Sequence, residues 1–418
     1  MRILFAIHNA YTDSTSGAAQ SMRILMQWLA KGGHDCRVLG TARFDAKPPD
    51  DLDAHLEQLE VPLRRVPPSK AFVRSVRKPA NMAVGRPTVD FTLEGVPVTM
   101  LLTRAKPESP AERFELEQFL FLLDDIFHRF GPDLLLTYGG HAVVQEAMRR
   151  ARRRGVSCVF TLRNYGYEDR GYFEHVDHVF TTSPYLSDFY RRQIGLRSIG
   201  IESPIEWEDV EAPVEMRRFL TFVNPTLKKG SMLFARLADM LGTRRPDIPI
   251  LVVQSAITAG SLNAIAGLDF GKYPQIMAAP ATPRPADFFS LTRILLVPSA
   301  FHEPFGRVAA EALINGIPPL VSDRGALPQT VRGAGRVLPL PSWLTETTKE
   351  LPTVAEAQPW FDAVCELWDD ARAYAQASEL ARATAVHWYS EAVMRQRYLE
   401  YFGALGPGGQ LFESPASP

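Results

Sequence analysis

Short apolar runs alternate with amphipathic stretches along most of the chain. The run Ile3 to Ile7 predicts a strand buried on both faces, and Ala18 to Ala30, whose apolar residues fall on one side, predicts the helix after it. Further strands are predicted at residues 36–39, 134–137, 158–162, 177–181, 219–223, 250–253, 275–279, 294–297 and 319–322. Strands that alternate with helices indicate parallel sheets of the α/β class.

The alternation forms two successive series. The segment between them, Ile201 to Arg218, is polar, contains proline and carries an acidic run, which predicts an interdomain linker. A chain of 418 residues is also long enough for about two domains. We therefore predict two doubly wound, Rossmann-like domains that face each other across a cleft, over residues 1–204 and 205–384.

The first series contains stretches that depart from the alternation. Residues 41–90 are rich in proline and charge, and they predict surface loops with one short helix. Phe91 to Thr99 then predicts a hairpin, and Pro110 to Phe130 predicts a long amphipathic helix that ends at a Gly-Pro pair.

The loop and helix after the strand at 294–297 carry the most informative chemistry. Glu303 lies in the loop and Glu311 on the helix, which begins near Gly306. Eight helical residues span about 12 Å, so the two carboxylates are expected to contact separate parts of an extended ligand. Between them, the backbone N–H groups of Phe305 to Arg307 predict an anion site, and the glycine would allow a close approach to the backbone.

This segment resembles a known family. The sequence EPFGRVAAE from Glu303 to Glu311 resembles the E-x7-E signature of the retaining GT-B glycosyltransferases, specifically family 4. The sequences GIPP from Gly316 and SDRG from Ser322 resemble the family's next strand and turn. The resemblance covers nearly the whole chain. It implies the GT-B fold and a hexosyltransferase that moves a sugar from a nucleoside diphosphate sugar to an acceptor hydroxyl with retention of configuration.

The resemblance also implies roles for individual residues. Glu303 would hold the hydroxyls of the donor sugar, and Glu311 would bind the ribose. The backbone of Phe305, Gly306, Arg307 and Val308 would line the sugar and the phosphates, and the end of the chain, residues 385–418, would form a helix that crosses back to the first domain, followed by a loose tail. The alternative is that the two glutamates are solvated side chains on a surface helix.

Basic residues near the second domain's first strand fit the same resemblance in part. Lys229-Gly230 matches the family's usual Lys-Gly, whose lysine neutralises the donor pyrophosphate, but Asn224 stands where an arginine is common. Lys228 or Arg307 could supply the missing charge. Lys229 could instead be an exposed surface charge, although a lysine at a helix start opposes the helix dipole.

Two residues of the first domain are also candidates. Gly17 lies in the loop after the first strand, where the family usually has paired glycines near the donor phosphates, and it could equally be a turn residue. His141 follows the strand at 134–137, where open α/β sheets place ligands. The family resemblance puts a histidine there next to the transferred sugar, so His141 is a catalytic candidate, and the alternative is a histidine that lines the helix start.

Several classes of function are disfavoured. The single Gly17 is not the G-x-G-x-x-G of a dinucleotide site, so no NAD or other cofactor is expected. Asp51-Leu-Asp53 resembles a metal-binding DxD motif only superficially, since it lies in a charged loop of the first domain, and we predict no metal. A net charge of −1 gives no general attraction to nucleic acid.

Localisation and partners are predicted only in outline. Three scattered cysteines indicate a reducing compartment, and we find neither a signal-peptide pattern nor a membrane span, so a cytoplasmic protein is expected. The acceptor could be a glycan, a lipid or a small molecule. One basic cluster could meet an anionic acceptor or make peripheral contact with lipid headgroups, or it could be a solvated face; its members are Arg64, Arg65, Lys70, Arg74, Arg77 and Lys78.

Two other functions remain open. A nucleotide-sugar epimerase would share the architecture, although such enzymes centre on different acidic and histidine residues. A catalytically silent binding subunit of a transferase complex would explain Asn224 and also Gln329, which stands where the family often has glutamate.

Overall fold

The structure is a computed structural model that describes residues 1–14, 16–45, 48–75, 85–104, 111–214, 216–254, 267, 269–282, 284–406 and 411–412. The chain divides into two compact units. Unit 1 comprises Met1–Pro204 and Arg395–Pro418, and unit 2 comprises Ile205–Met394. Within the described residues, no helix is both long enough and apolar enough to span a membrane.

Unit 1 is built on a sheet whose described strands are β1 (Arg2–Ala6), β2 (Asp35–Thr41), β3 (Arg64–Val66), β4 (Thr88–Leu93), β5 (Val96–Leu101), β6 (Leu134–Thr137), β7 (Ser157–Leu162), β8 (His178–Thr181) and β9 (Ile199–Gly200). Their order is β3-β4-β5-β2-β1-β6-β7-β8-β9. Pairing is parallel from β5 to β9, and antiparallel between β3, β4 and β5. The predicted hairpin is therefore confirmed as β4 and β5.

The helices of unit 1 begin where the sequence provides caps. The Ser16 hydroxyl accepts the N–H of Ala19 at the start of the first helix, and Ser183 does the same for Leu186 further along the chain. The predicted long amphipathic helix is confirmed, with its described part running to Phe130. The helices are α1 (Gly17–Lys31), α2 (Leu52–Glu57), α3 (Lys70–Ser75), α4 (Arg113–Phe130), α5 (Ala142–Arg153) and α6 (Pro184–Ile194).

Unit 2 has a sheet in which every described pairing is parallel. Its strands are β10 (Phe219–Val223), β11 (Ile250–Val253), β12 (Ile276–Ala279), β13 (Thr292–Val297), β14 (Pro319–Ser322) and β15 (Arg336–Leu338), in the order β12-β11-β10-β13-β14-β15. The described helices are α7 (Trp207–Val210), α8 (Ser231–Arg244), α9 (Ala286–Phe289), α10 (Arg307–Ile314), α11 (Leu327–Val331), α12 (Val354–Asp369) and α13 (Ala371–Tyr389), and α14 (Glu391–Gly403) continues into unit 1.

Each sheet contains one place where the strand order reverses. In unit 1 the chain runs outwards from β1 through β2 and then returns to β6 on the other side of β1. In unit 2 it runs outwards from β10 through β11 and returns to β13 on the other side of β10. Connections on either side of such a switch point diverge and leave a crevice at the carboxyl ends of the two strands, where open α/β sheets bind ligands.

One sequence prediction for the connecting segments was wrong in part. Residues 41–90 are not loops with one short helix, because they contain two short helices, α2 and α3, and the edge strand β3. The acidic segment after Pro204 begins unit 2, so the boundary between the two units lies within the segment predicted as a linker. It forms α7, and the Asn315 side-chain amide donates to the Val210 carbonyl and accepts the Ala212 N–H, each at 2.9 Å. These contacts pack the segment into unit 2.

Candidate functional site

Three loops meet at the switch point of unit 2, after β10, β13 and β14. The Lys228 carbonyl accepts the backbone N–H groups of Ala300 and Phe301, at 2.9 and 3.2 Å, and so joins the first two loops. The Glu303 carbonyl accepts the N–H of Ala326 at 2.8 Å and joins the second to the third. These backbone bonds fix the loops independently of any ligand.

Gly230 is required by the close packing of these loops. Its φ of 82° lies in the left-handed region, and a Cβ at this position would lie 1.7 Å from the Pro298 carbonyl oxygen. No other residue type would allow the start of α8 to approach the end of β13 this closely. The Lys-Gly pair therefore has a structural role in addition to any role of its lysine.

Glu303 is buried and paired in this crevice. Its side chain is 7% exposed, and Oε1 accepts hydrogen bonds from Lys229 Nζ and Ser299 Oγ, both at 2.6 Å. The Lys229 side chain is 30% exposed, and its ammonium lies 5.5 Å from the centre of the Phe301 ring. The lysine thus connects a buried carboxylate to solvent. The alternative of a simple exposed surface charge is wrong, because the side chain is only 30% exposed and is ion-paired.

The start of α10 is organised by the protein's own packing. Gly306 caps the helix with φ 86°, in the left-handed region that favours glycine, and a Cβ there would also approach the end of the Leu327 side chain, so the backbone conformation favours glycine even without a ligand. The Phe305 ring is buried 6.0 Å from the Tyr389 ring, and Val308 packs against the apolar core of unit 2. These two residues therefore offer a ligand their backbone rather than their side chains.

Glu311 is also buried, so the alternative of two solvated carboxylates is wrong. Its Oε1 accepts a hydrogen bond from Arg307 Nε at 2.6 Å, one helical turn away. Burial raises the pKa of Glu311, Arg307 opposes that rise, and Asp209 on α7 adds to it. Arg307, which the sequence offered as a source of charge for a phosphate, is engaged with Glu311 in this structure.

Asn224 has a conformation that explains its residue type. Directly after β10 it adopts φ 60°, its N–H donates to the Val253 carbonyl at 2.9 Å, and its carbonyl accepts the Thr226 N–H at 2.7 Å. Asparagine tolerates the left-handed region better than arginine does. The departure from the family pattern is therefore matched to a tight turn at this point.

The two candidates of unit 1 lie at helix starts. Gly17 is the first residue of α1, and a Cβ there would meet nothing within 4 Å, so packing does not require a glycine. His141 is exposed at the N-cap of α5 without using its side chain as a cap. Its ring stands edge-on to that of His8, with centroids 5.4 Å apart. His8 belongs to no motif that marks it from sequence.

Other charged candidates have structural partners. Asp51 caps α2, and Asp53 is ion-paired with Arg65, so the DxD-like pair is used within unit 1. Among the described residues, no group of three or more histidine, cysteine or acidic side chains could hold a metal ion. In the basic cluster Arg64 also pairs with Asp90, at 2.6 Å. Two predicted members of that cluster lie outside the described residues, Arg77 and Lys78.

Comparison with known proteins relates the fold to solved structures. No protein-family model matches the sequence, and no curated protein matches it. The structure resembles sucrose-phosphate synthase from Thermosynechococcus elongatus, with 17% identity, a TM-score of 0.64, and coverage of 97% of this chain and 100% of that one. It also resembles Anabaena HepE in complex with UDP and glucose, with 14% identity, a TM-score of 0.64, and coverage of 97% and 100%.

A third similar structure is the catalytic domain of starch synthase IV from Arabidopsis thaliana bound to ADP and acarbose, with 12% identity, a TM-score of 0.63, and coverage of 96% of this chain and 99% of that one. All three relatives are GT-B glycosyltransferases. The likeness extends over nearly the whole of each chain and confirms the α/β fold class predicted from sequence. The chain therefore has the GT-B fold.

Proposed function

We propose that this protein is a glycosyltransferase that moves a sugar from a nucleoside diphosphate sugar to an acceptor hydroxyl with retention of configuration. The observation that carries the proposal is the buried Glu303, held by Lys229 and Ser299 at the switch point of unit 2. Nucleotides in the similar structures, UDP in HepE and ADP in starch synthase IV, support this class of donor. Retention rests on the likeness to the E-x7-E signature.

The reaction requires stabilisation of negative charge on the departing diphosphate. Lys229 would turn its ammonium from Glu303 to the diphosphate, and the amides at the start of α10 would contact the same anion. Glu303 would then accept hydroxyls of the donor sugar. Glu311, held by Arg307, would bind the ribose, and His141 in unit 1 would contact the transferred sugar.

Ser299 is proposed to orient Glu303, and its removal tests that role. Ser299→Ala removes a buried hydrogen bond to a carboxylate, and we expect the free energy of unfolding to fall by about 1.5–3 kcal/mol. Because Glu303 loses one of the hydrogen bonds that hold its carboxylate, we also expect kcat to fall about tenfold or more. Chemical denaturation and initial rates measure the two effects.

Ser322→Ala is the matched control. Ser322 is equally buried, and its hydroxyl donates to the Ser299 backbone carbonyl at 2.7 Å rather than to the carboxylate. We expect a loss of stability with a much smaller change in kcat. Equal losses of kcat in the two variants would assign Ser299 to the stability of the loop alone.

Metal independence is proposed because Lys229 and the start of α10 already place positive charge and amide dipoles at the site. We expect the rate of acceptor-dependent nucleoside diphosphate release to change less than about twofold when EDTA replaces added Mg²⁺ or Mn²⁺, since no step needs a Lewis acid. A rate that collapses in EDTA and returns with one of these metals would contradict the proposal.

Thermal-shift measurements test the donor class first. A nucleotide that binds only the folded chain at 100 times its Kd stabilises it by about 2.7 kcal/mol, and UDP, ADP, GDP and their sugars should be compared. Release of nucleoside diphosphate only with acceptor present indicates transfer, and interconversion of the donor sugar without release indicates an epimerase. Nucleotide binding without donor hydrolysis or transfer would indicate a silent binding subunit.

A further inference from the structure

His8 is a buried polar side chain without a protein partner. It follows β1 and is 4% exposed, and among the described residues neither ring nitrogen has a hydrogen-bond partner. Buried polar atoms are nearly always paired, and an unpaired one destabilises a fold by about 1–3 kcal/mol. Such a group calls for a partner that the protein itself does not supply.

The position of His8 points to a ligand. β1 and β6 are parallel neighbours, with Leu4 opposite Leu135, and they flank the switch point of unit 1. His8 follows the first of these strands and His141 the second. Tyr138, directly after β6, adds a buried hydroxyl with no hydrogen-bond partner among the described residues. Unsatisfied polar atoms therefore follow both strands at the place where α/β sheets bind ligands.

We propose that His8, beside His141 at the switch point of unit 1, contacts directly an uncharged polyhydroxyl molecule such as a sugar or polyol. This ligand would be the acceptor, an identification that rests on the proposed function. The binding of a neutral polyol itself does not depend on that function.

The chemistry of the ring selects the class of ligand. Burial, with His141 and Arg43 acting in the same direction and Glu115 opposing them, lowers the pKa of His8 to about 4. A neutral imidazole has one donor nitrogen and one acceptor nitrogen. A hydroxyl group both donates and accepts, so neighbouring hydroxyls of a polyol satisfy both nitrogens. A phosphate or carboxylate offers only acceptors and would leave one nitrogen unsatisfied.

The His8 ring contacts one buried ring and one exposed ring. The Phe119 ring packs edge-on against it with centroids 5.9 Å apart, and this contact belongs to the core of unit 1. The other ring contact is the exposed His141, whose side chain makes no cap hydrogen bond to α5.

NMR of protein with isotopically labelled histidine tests the site without any donor sugar. The ring resonances of His8 and His141 are followed at neutral pH while D-mannose, D-glucose or glycerol is added, and glucose 6-phosphate and glucuronate serve as anionic counterparts. We expect saturable shifts of both rings with at least one neutral probe, and weaker shifts with its charged counterpart. Unmoved rings with every neutral probe, or larger shifts with the anions, would overturn the proposal.

Variants assign the resonances and test the contact. His8→Phe keeps a ring against Phe119 and removes both nitrogens, and His128→Phe is the same change at an exposed position of α4. We expect His8→Phe to abolish the shift of His141, and His128→Phe to preserve it. A shift of His141 that is unchanged in folded His8→Phe protein would contradict a role for His8.

Kinetics connect the site to the proposed reaction. With the donor identified, His8→Phe should raise the KM for acceptor about tenfold, because it removes two hydrogen bonds to ligand, and leave the KM for donor unchanged. An unchanged acceptor KM would overturn the contact. The NMR measurement needs no donor sugar. A chain that binds polyols but no nucleotide would therefore contradict the proposed transferase function and still support the ligand contact of His8.

Discussion

Glu303→Gln is expected to lower kcat/KM about 100- to 1,000-fold, the size of effect seen when one preorganised electrostatic group is removed from an active site. The amide keeps the shape of the side chain and an oxygen that can accept from Ser299. It removes the negative charge that positions donor hydroxyls and that faces the developing positive charge at the anomeric carbon. Acceptor-dependent release of nucleoside diphosphate at saturating and subsaturating donor measures the loss.

Glu366→Gln is the matched control for this change. Glu366 is also ion-paired within unit 2, with Arg336, but its side chain is 53% exposed on α12. Exposed pairs contribute about 0–1 kcal/mol, so neither stability nor rate should change measurably. A Glu303→Gln variant as active as this control would remove Glu303 from the reaction and with it the main support for the transferase proposal.

Much of the fold could be predicted because its strands are short, apolar and well delimited. The run at Ile3 to Ile7 and the run at Ile294 to Val297 are buried on both faces of parallel sheets, and each is followed by a loop and a helix with a clear start. A strand that is buried on both faces is continuously apolar and does not alternate between apolar and polar residues, so it is easily recognised.

The edge of the first sheet could not be predicted in the same way. β3 has three residues, Arg64–Val66, two of them exposed arginines, and it pairs antiparallel with β4. Its stability comes from a partner strand more than twenty residues later along the chain rather than from local pattern. The packing of α7 likewise depends on a residue far along the chain, Asn315, and could not be predicted from the local pattern.

The residues of the candidate site could be predicted from the sequence, but most of the contacts between their side chains could not. The contact of Arg307 with Glu311 follows from their spacing of four on one helix and could have been anticipated. The contact of Lys229 with Glu303 joins loops after two strands that are adjacent only because β13 returns beside β10. His8 could not be singled out, because a histidine near a strand end reveals its burial and its lack of a partner only in three dimensions.

Lys229→Met is expected to reduce both kcat/KM for the donor and the free energy of unfolding. The ammonium is the group we assign to the diphosphate, so kcat/KM for the donor should fall about 100- to 1,000-fold, with a strong rise in donor KM. The variant also removes the cation that pairs with the buried Glu303. This should lower the free energy of unfolding by about 3 kcal/mol, the lower end for broken buried pairs, because Lys229 is partly exposed.

The double variant with Glu303→Gln separates these two effects. A neutral amide no longer needs the cation, so the pair of changes should recover most of the stability lost in Lys229→Met, and the double-mutant cycle should show strong coupling. Activity should not recover, because the diphosphate still lacks its ammonium. Lys272→Met, which breaks a pair with Asp239 at 3.6 Å through a half-exposed lysine, serves as control and should change neither quantity. If the double variant regained kcat/KM for the donor together with stability, we would conclude that Lys229 serves only to neutralise Glu303. Another cation would then have to bind the diphosphate.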